Sequence, residues 1–321
     1  MKGLTDIPGI KVGHISDYEA ITGCTAILCE QGAVGGVDIR GSASGTEETP
    51  TLDPGHITPQ IHGVLLAGGS AFGLEAASGV RRYLEHRGVG YPTGAANVPI
   101  VAAAILYDLG IGKPNVRPNL AMGEAAAAAA STDAVAEGCV GAGTGATVGK
   151  ILGMKNAMKS GIGTATVELP NGVLVSALVA VNAVGDVRDP TNGSILAGAR
   201  KTPESREFLN TVEHLKRGGG PPGFGRAVKN TTLAVIATNA RLNKVEARKL
   251  AEMAGLGMAR TIYPVNTMAD GDTVFALSLG DRTGDVNVLG VAAAEAVSSS
   301  IVRAVKAART MGGVPGIASS R

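Results

Sequence analysis

Two short stretches of this chain carry residue types that could do covalent chemistry. The first is KNTTLAVIATNA, where a Gly/Pro-rich loop (GGGPPGFG, 218–225) runs into an apolar strand that begins Thr-Thr. Breaking the Asn230–Thr231 peptide would leave Thr231 with both a hydroxyl and a free α-amine. With an ordinary pKa of about 7.7–8.0, that amine can act as the hydroxyl's own base near neutral pH, without a histidine. The residues alone equally fit a strand that simply starts after a loop. The second stretch is MADGDTVF, in which Asp270 and Asp272 flank Gly271 just before another strand. Two carboxylates two positions apart on extended backbone point the same way. Like charges that close perturb each other's protonation, although a turn with solvated acids has the same pattern.

Other motifs fail when their spacing is checked. VGAGTGATVGK (140–150) has the glycines of a phosphate loop, but position 144, where the leading glycine of a Walker A motif belongs, is Thr. Ile151 follows Lys150 where Ser or Thr is required, so a tight turn accounts for these glycines. The histidines (14, 56, 62, 86 and 214) show no H-x-x-x-H spacing, no C-x-x-C occurs, and Ser70 is out of frame for a G-x-S-x-G elbow. Cys24, Cys29 and Cys139 are too few and too scattered for a disulfide framework. They read as small buried hydrophobes in a reducing, cytoplasmic setting. No metal or organic cofactor is called for.

The elements that would position these residues alternate between apolar strands and Ala-rich helices. The spacing predicts strand, glycine turn and helix over 64–88, with Ser70 as N-cap and Gly88 as stop. It predicts a buried strand and turn over 100–112 and a helix from 119 closing at Gly138. A hairpin over 164–187 turns at PNG (170–172), and its second arm is apolar throughout, as in a sheet covered on both faces. A short helix is expected at 203–217, a buried strand at 231–240, a helix at 244–255 stopped by its glycine, a strand at 272–280 and a long final helix at 285–309. Helices on buried sheets in two or more layers follow from that order.

Composition narrows the class. Of 321 residues, 45% are hydrophobic and 17% charged; 29 Lys/Arg against 27 Asp/Glu leave a net charge of +2. That balance gives no field for nucleic acid or an anionic membrane, and 3% aromatics gives no base-stacking platform. Apolar runs stop short of a membrane span, and the first residues, MKGLTDIPGIKVGHISD, show no signal peptide. The 47 glycines, about twice ordinary usage, imply backbones packed close together with small side chains between layers.

Five segments in order, GGSAFGLEAASGV (68–80), VGAGTGATVGK (140–150), VAVNAVGDV (179–187), NTTLAVIATNA (230–240) and DGDTVFALS (270–278), resemble the L-aminopeptidase/D-esterase family of N-terminal-nucleophile hydrolases, peptidase family S58. This group also holds β-aminopeptidases and the 6-aminohexanoate-oligomer (nylon oligomer) hydrolases. The resemblance runs nearly the length of the chain. It implies an α/β fold, a four-layer αββα sandwich made as a single-domain precursor (1–321) that cuts itself into 1–230 and 231–321. It implies Thr231 as nucleophile, with Asn230 before the cut, and Asn182 as oxyanion stabiliser. Tyr107 lies near the nucleophile, and Lys150 matches a lysine of the oligoamide-hydrolase branch. Asp270 and Asp272 fall where classical aminopeptidase members carry Ser and Glu and the oligoamide hydrolases carry two aspartates. A linear-amide hydrolase of the nylon-oligomer type is therefore expected. Aminopeptidase or esterase action on short peptides is the alternative; an acyltransferase of the ornithine acetyltransferase type and a silent scaffold are further removed. A homo-oligomer, with a tetramer favoured, is also implied.

Overall fold

A computed structural model describes residues 1–220 and 230–318, so part of the expected 218–225 loop lies outside the described residues. Eight principal strands frame the molecule: β1 (Lys11–Asp17), β2 (Thr22–Ile39), β3 (Ile61–Ala67), β4 (Val101–Ile105), β5 (Ile162–Leu169), β6 (Val173–Asn182), β7 (Thr231–Ala240) and β8 (Thr273–Arg282). The helices are α1 (Ala76–His86), α2 (Leu120–Ala128), α3 (Thr211–Lys216), α4 (Lys244–Thr261) and α5 (Val286–Lys306).

The strands form two layers joined by the long β2. Its first half pairs with β1 and β3, and β4 lies beyond β3; its second half pairs with β8, followed by β7, β6 and β5. Side-chain alternation shows which layer faces which. Ile27, Val64 and Leu66 from one sheet meet Leu178, Leu233, Val235 and Phe275 from the other. The intervening residues of the second sheet, such as Val179, Ala234 and Ile236, pack outward against Leu250, Met258, Val297 and Ile301 of α4 and α5. Those of the first sheet, such as Leu65 and Ala103, pack against Val80 and Leu84 of α1 and Ala126 of α2. The result is the expected αββα sandwich, and the all-apolar runs are apolar because both faces of the strand are covered. α5 matches a membrane span in length and hydropathy, but two-thirds of that window is buried in the protein.

Small residues let these layers touch. A Cβ at Gly13 would stand on the backbone of α2, one at Gly36 on α4, and one at Gly163 on α5. Dispersion falls off steeply with distance, so backbone-to-backbone contact makes small residues pack as well as large ones would.

Several expected boundaries move. Ser70 does not cap α1: it lies at φ 54° and heads a 3-10 segment, and the α-helix begins only at Ala76. α2 ends at Ala128 rather than Gly138, because Ser131 leaves the helix to pair with Val12 of β1. The helix expected over 203–217 shrinks to α3. α4 does not stop at Gly255 but runs through it to Thr261, with Gly257 packed against Ala294 of α5. The hairpin forms as expected, with Leu169 opposite Val173 and Asn171 at φ 63° in the turn.

Candidate active site

Sheet direction brings the chemistry-bearing residues together. β7 and β8 are parallel, with α4 crossing between them, so Thr231 and the Asp270–Asp272 segment arrive at the same edge. β6 runs antiparallel to β7, so its last residue, Asn182, pairs with Thr231, the first of β7. Alternation puts Thr231 and Asn182 on the between-sheet side and Thr232 on the helix side. Thr231, Asn182, Asp270 and Asp272 are all buried.

The Asn230–Thr231 peptide is held on both sides. Asn230 bridges in parallel to Asp270, and its carbonyl oxygen accepts the Gly271 N–H at 2.9 Å. The Thr231 hydroxyl donates to that same oxygen at 2.5 Å. The Asn230 carbonyl oxygen therefore receives both the Thr231 hydroxyl and a backbone N–H, the kind of donor that stabilises negative charge on a carbonyl oxygen.

The two aspartates secure the backbone around this bond. Asp272 accepts the Thr232 N–H at 2.6 Å and the Asn266 N–H at 2.9 Å. Asp270 accepts the Thr267 N–H at 3.0 Å and its hydroxyl at 2.5 Å. Burial, followed by the like charge of Asp270, pushes Asp272 up to about 7. Burial also raises Asp270, against the pull of its Thr267 hydrogen bonds and the nearby Lys150 ammonium.

Asn182 is a hub. Its side-chain oxygen accepts Lys150 Nζ at 2.7 Å and the Thr147 N–H at 3.0 Å, while its Nδ2 donates to the Tyr107 carbonyl at 2.9 Å. Lys150 Nζ also donates to the Asn182 carbonyl at 2.9 Å. The N–H groups of Gly149 and Lys150 bind the carbonyls of Gly185 and Val184, so the end of the glycine loop is laced to the turn after β6. Burial pulls Lys150 down to about 7, with the charges of Asp270 and Asp272 opposing the fall. Tyr107 reaches Asn182 through its carbonyl rather than its ring.

All the residues singled out from sequence thus converge on one edge of the sandwich. The reading of side chains missed the Gly271 N–H, Thr147, Asn266 and Thr267. Gly271 looked like a spacer between two acids, and a backbone donor leaves no mark in a side-chain pattern. Cys24 and Cys29 are buried thiols pushed up to about 12 by desolvation, as expected of inert core residues. Among the described residues no cluster of His, Cys, Asp or Glu could hold a metal ion.

The fold is that of the N-terminal-nucleophile hydrolases, and the family model together with the relatives makes the protein a hydrolase acting on amide bonds. The chain belongs to peptidase family S58, whose model matches residues 2–318. An uncharacterized aminopeptidase of Mycobacterium tuberculosis is 39% identical over 98% of this chain and 96% of its own. A 6-aminohexanoate-oligomer endohydrolase of Kocuria sp. is 32% identical over 94% of this chain and 85% of its own. Among solved structures, an L-aminopeptidase D-Ala-esterase/amidase from Ochrobactrum anthropi, described as a variant of the Ntn hydrolase fold, superposes with a TM-score of 0.71 at 22% identity, covering 98% of this chain and 88% of that one. A Burkholderia sp. beta-aminopeptidase gives 0.69 at 24% identity, covering 99% and 91%.

Proposed function

We propose that this protein is a self-cleaving amidase with the Thr231 hydroxyl as nucleophile, acting on linear amides of the 6-aminohexanoate-oligomer kind. One observation carries the reading: the Thr231 hydroxyl rests on the Asn230 carbonyl oxygen, and the Gly271 N–H holds that oxygen from another side. In the precursor the hydroxyl oxygen bonds to the Asn230 carbonyl carbon. The carbon–nitrogen bond to Thr231 then breaks, and the hydroxyl proton ends on the departing amine. The charge that grows on the carbonyl oxygen meets the Gly271 N–H. Water then opens the resulting ester, leaving an Asn230 carboxylate and a Thr231 with free amine and hydroxyl. No α-amine is available before the cut, so another group must accept the proton, and the candidates are Lys150, hydrogen-bonded to Asn182, and Asp272, which accepts the Thr232 N–H beside the nucleophile.

In the cut enzyme the Thr231 amine takes the hydroxyl proton and returns it to the leaving amine of the substrate. Asn182 is the proposed donor to the substrate oxyanion, and loss of one such donor costs about 10²–10³ in rate. Asp270 and Asp272 hold the new terminus, and Lys150 tunes its amine. The same reading carries a cytoplasmic homotetramer, with exposed Val245, Leu256, Val288 and Val291 on α4 and α5 available for subunit contact.

Intact mass under denaturing conditions tests the proposal. The wild type should give two chains, the smaller beginning TTLAV, and Thr231→Ala a single uncut chain without amidase activity. Cleavage at the same bond in Thr231→Ala, or a small chain that starts at Thr232, would overturn the nucleophile. The 39% relatives carry the name aminopeptidase, which favours a second reading. Release of p-nitroaniline from aminoacyl anilides, with 6-aminohexanoate oligomers left intact, would establish it.

A further inference from the structure

A buried carboxylate just behind the site has no part in the chemistry above. Asp108 follows Tyr107 in the turn after β4 and is 4% exposed. One carboxylate oxygen accepts the Gly69 N–H at 2.7 Å, and the other accepts the Thr22 hydroxyl at 2.7 Å. Two of the glycine motifs close around it: a Cβ at Gly68 would stand on the carboxylate, and one at Gly145 would meet both the carboxylate and the Asp108 Cβ. Gly68 of GGSAFGL and Gly145 of GAGTGATVGK are thus two walls of one carboxylate-sized slot.

Behind that slot Lys159, fully buried, donates to the carbonyls of Ala146 at 2.6 Å and Ser160 at 3.2 Å. It lies within the field of Asp108, and each charge eases the burial of the other. Ala146 immediately precedes Thr147, whose N–H binds Asn182. A buried carboxylate bonded on both oxygens, anchored to β2 and to the loop after β3, leaves its neighbour Tyr107 little freedom. Tyr107 in turn holds the Nδ2 end of Asn182.

We infer that Asp108 is a positioning residue of the hydrolytic site: its carboxylate fixes the Tyr107 carbonyl on the Asn182 amide, and so fixes which end of that amide faces Lys150. Its action runs through Asn182 and requires no contact with substrate. The inference rests on the proposed function, because it assumes that Asn182 serves the nucleophile.

A double-mutant cycle on the full chain tests it, read as the rate of self-cleavage and as kcat and KM for amide hydrolysis. Asp108→Ala should lower both rates by about 10², the cost of roughly 1 Å of misplacement, with KM little changed. Asp108→Asn keeps the shape, and the Thr22 hydroxyl can turn to accept, so that variant should stay within about fivefold of wild type. Asp108→Ala combined with Asn182→Ala should be no slower than Asn182→Ala alone, because the first acts only through the second. Rates that multiply in the double variant, or wild-type rates in Asp108→Ala, would overturn the inference. If Asp108→Ala does not fold, Thr22→Val takes its place in the cycle, and wild-type cleavage in that variant overturns it equally. Thr231→Ala run alongside separates the two claims: a cut there sinks the proposed function, while an uncut Thr231→Ala with multiplying rates sinks only the role of Asp108.

Discussion

Lys150 and Asp272 sit at one edge of the sandwich and titrate in nearly the same range, so Asp272 gains its charge as Lys150 loses its own, and each owes that first to burial. Lys150 falls from an ordinary 10.5 to about 7 and Asp272 rises from 3.8 to about 7. The direction for activity follows from which form can accept a proton. In the proposed self-cleavage the Thr231 proton would need an unprotonated acceptor, and both groups lose their protons as pH rises through 7. Self-cleavage of freshly made precursor should be slow at about pH 5.5 and rise through 7 to a plateau above about 8. Chain ratios by mass spectrometry against time will show it, and a rate flat across that range would remove both residues from the proton path. At this scale the placement of side chains was legible once the family resemblance was added to the residues: Thr231, Asn182, Lys150, Asp270 and Asp272 stand together at one edge. The backbone groups, the Gly271 N–H and the Tyr107 carbonyl, were not legible.

Helices and strands in this protein meet through glycine, and the two glycines of α4 separate the ways such a residue can matter. At Gly257 a Cβ would meet the Ala294 carbonyl and the Val297 side chain of α5. At Gly255 its nearest neighbour would be Asp38 Oδ2 at 3.5 Å, an ordinary contact. Gly257→Ala should therefore destabilise by about 1–3 kcal/mol through overpacking. Gly255→Ala should stabilise by about 0.5–1 kcal/mol, the ordinary gain of Ala over Gly inside a helix. Urea midpoints measured in the uncut Thr231→Ala background check the pair, and equal shifts of the same sign would refute the packing account. Local sequence could not tell these glycines apart, because the difference lies on α5, about forty residues further along. The same limit explains α2, where alanines predicted helix to Gly138 and the pairing of Ser131 with β1 ended it ten residues sooner. Elements whose ends are marked by their own residues were read closely: Asp285 caps α5 with hydrogen bonds to Asn287 and Val288, and PNG turns the hairpin.

The whole molecule follows from its composition more directly than from its motifs. A chain poor in charge and aromatics and rich in Gly and Ala can stack two sheets and two helical layers only by bringing backbones together, and the glycine contacts do so. What composition could not supply is the order of strands, in particular that β2 belongs to both sheets and that β7 and β8, from the end of the chain, lie between β6 and β2. That central placement has a consequence for the history of the molecule. A cut before Thr231 severs the chain without exposing a sheet edge, so the two pieces stay locked together, yet the covalent link that guided them into place is gone. Under the proposed cut, the precursor would find its fold as one chain, and the mature enzyme could only keep it. Heated or denatured and then returned to native buffer, uncut Thr231→Ala should recover its fold. Cut wild type should recover little, and more at higher protein concentration, as light scattering and activity would show. Self-cleavage would then make maturation a ratchet, with the working lifetime of the enzyme set by how slowly it first unfolds.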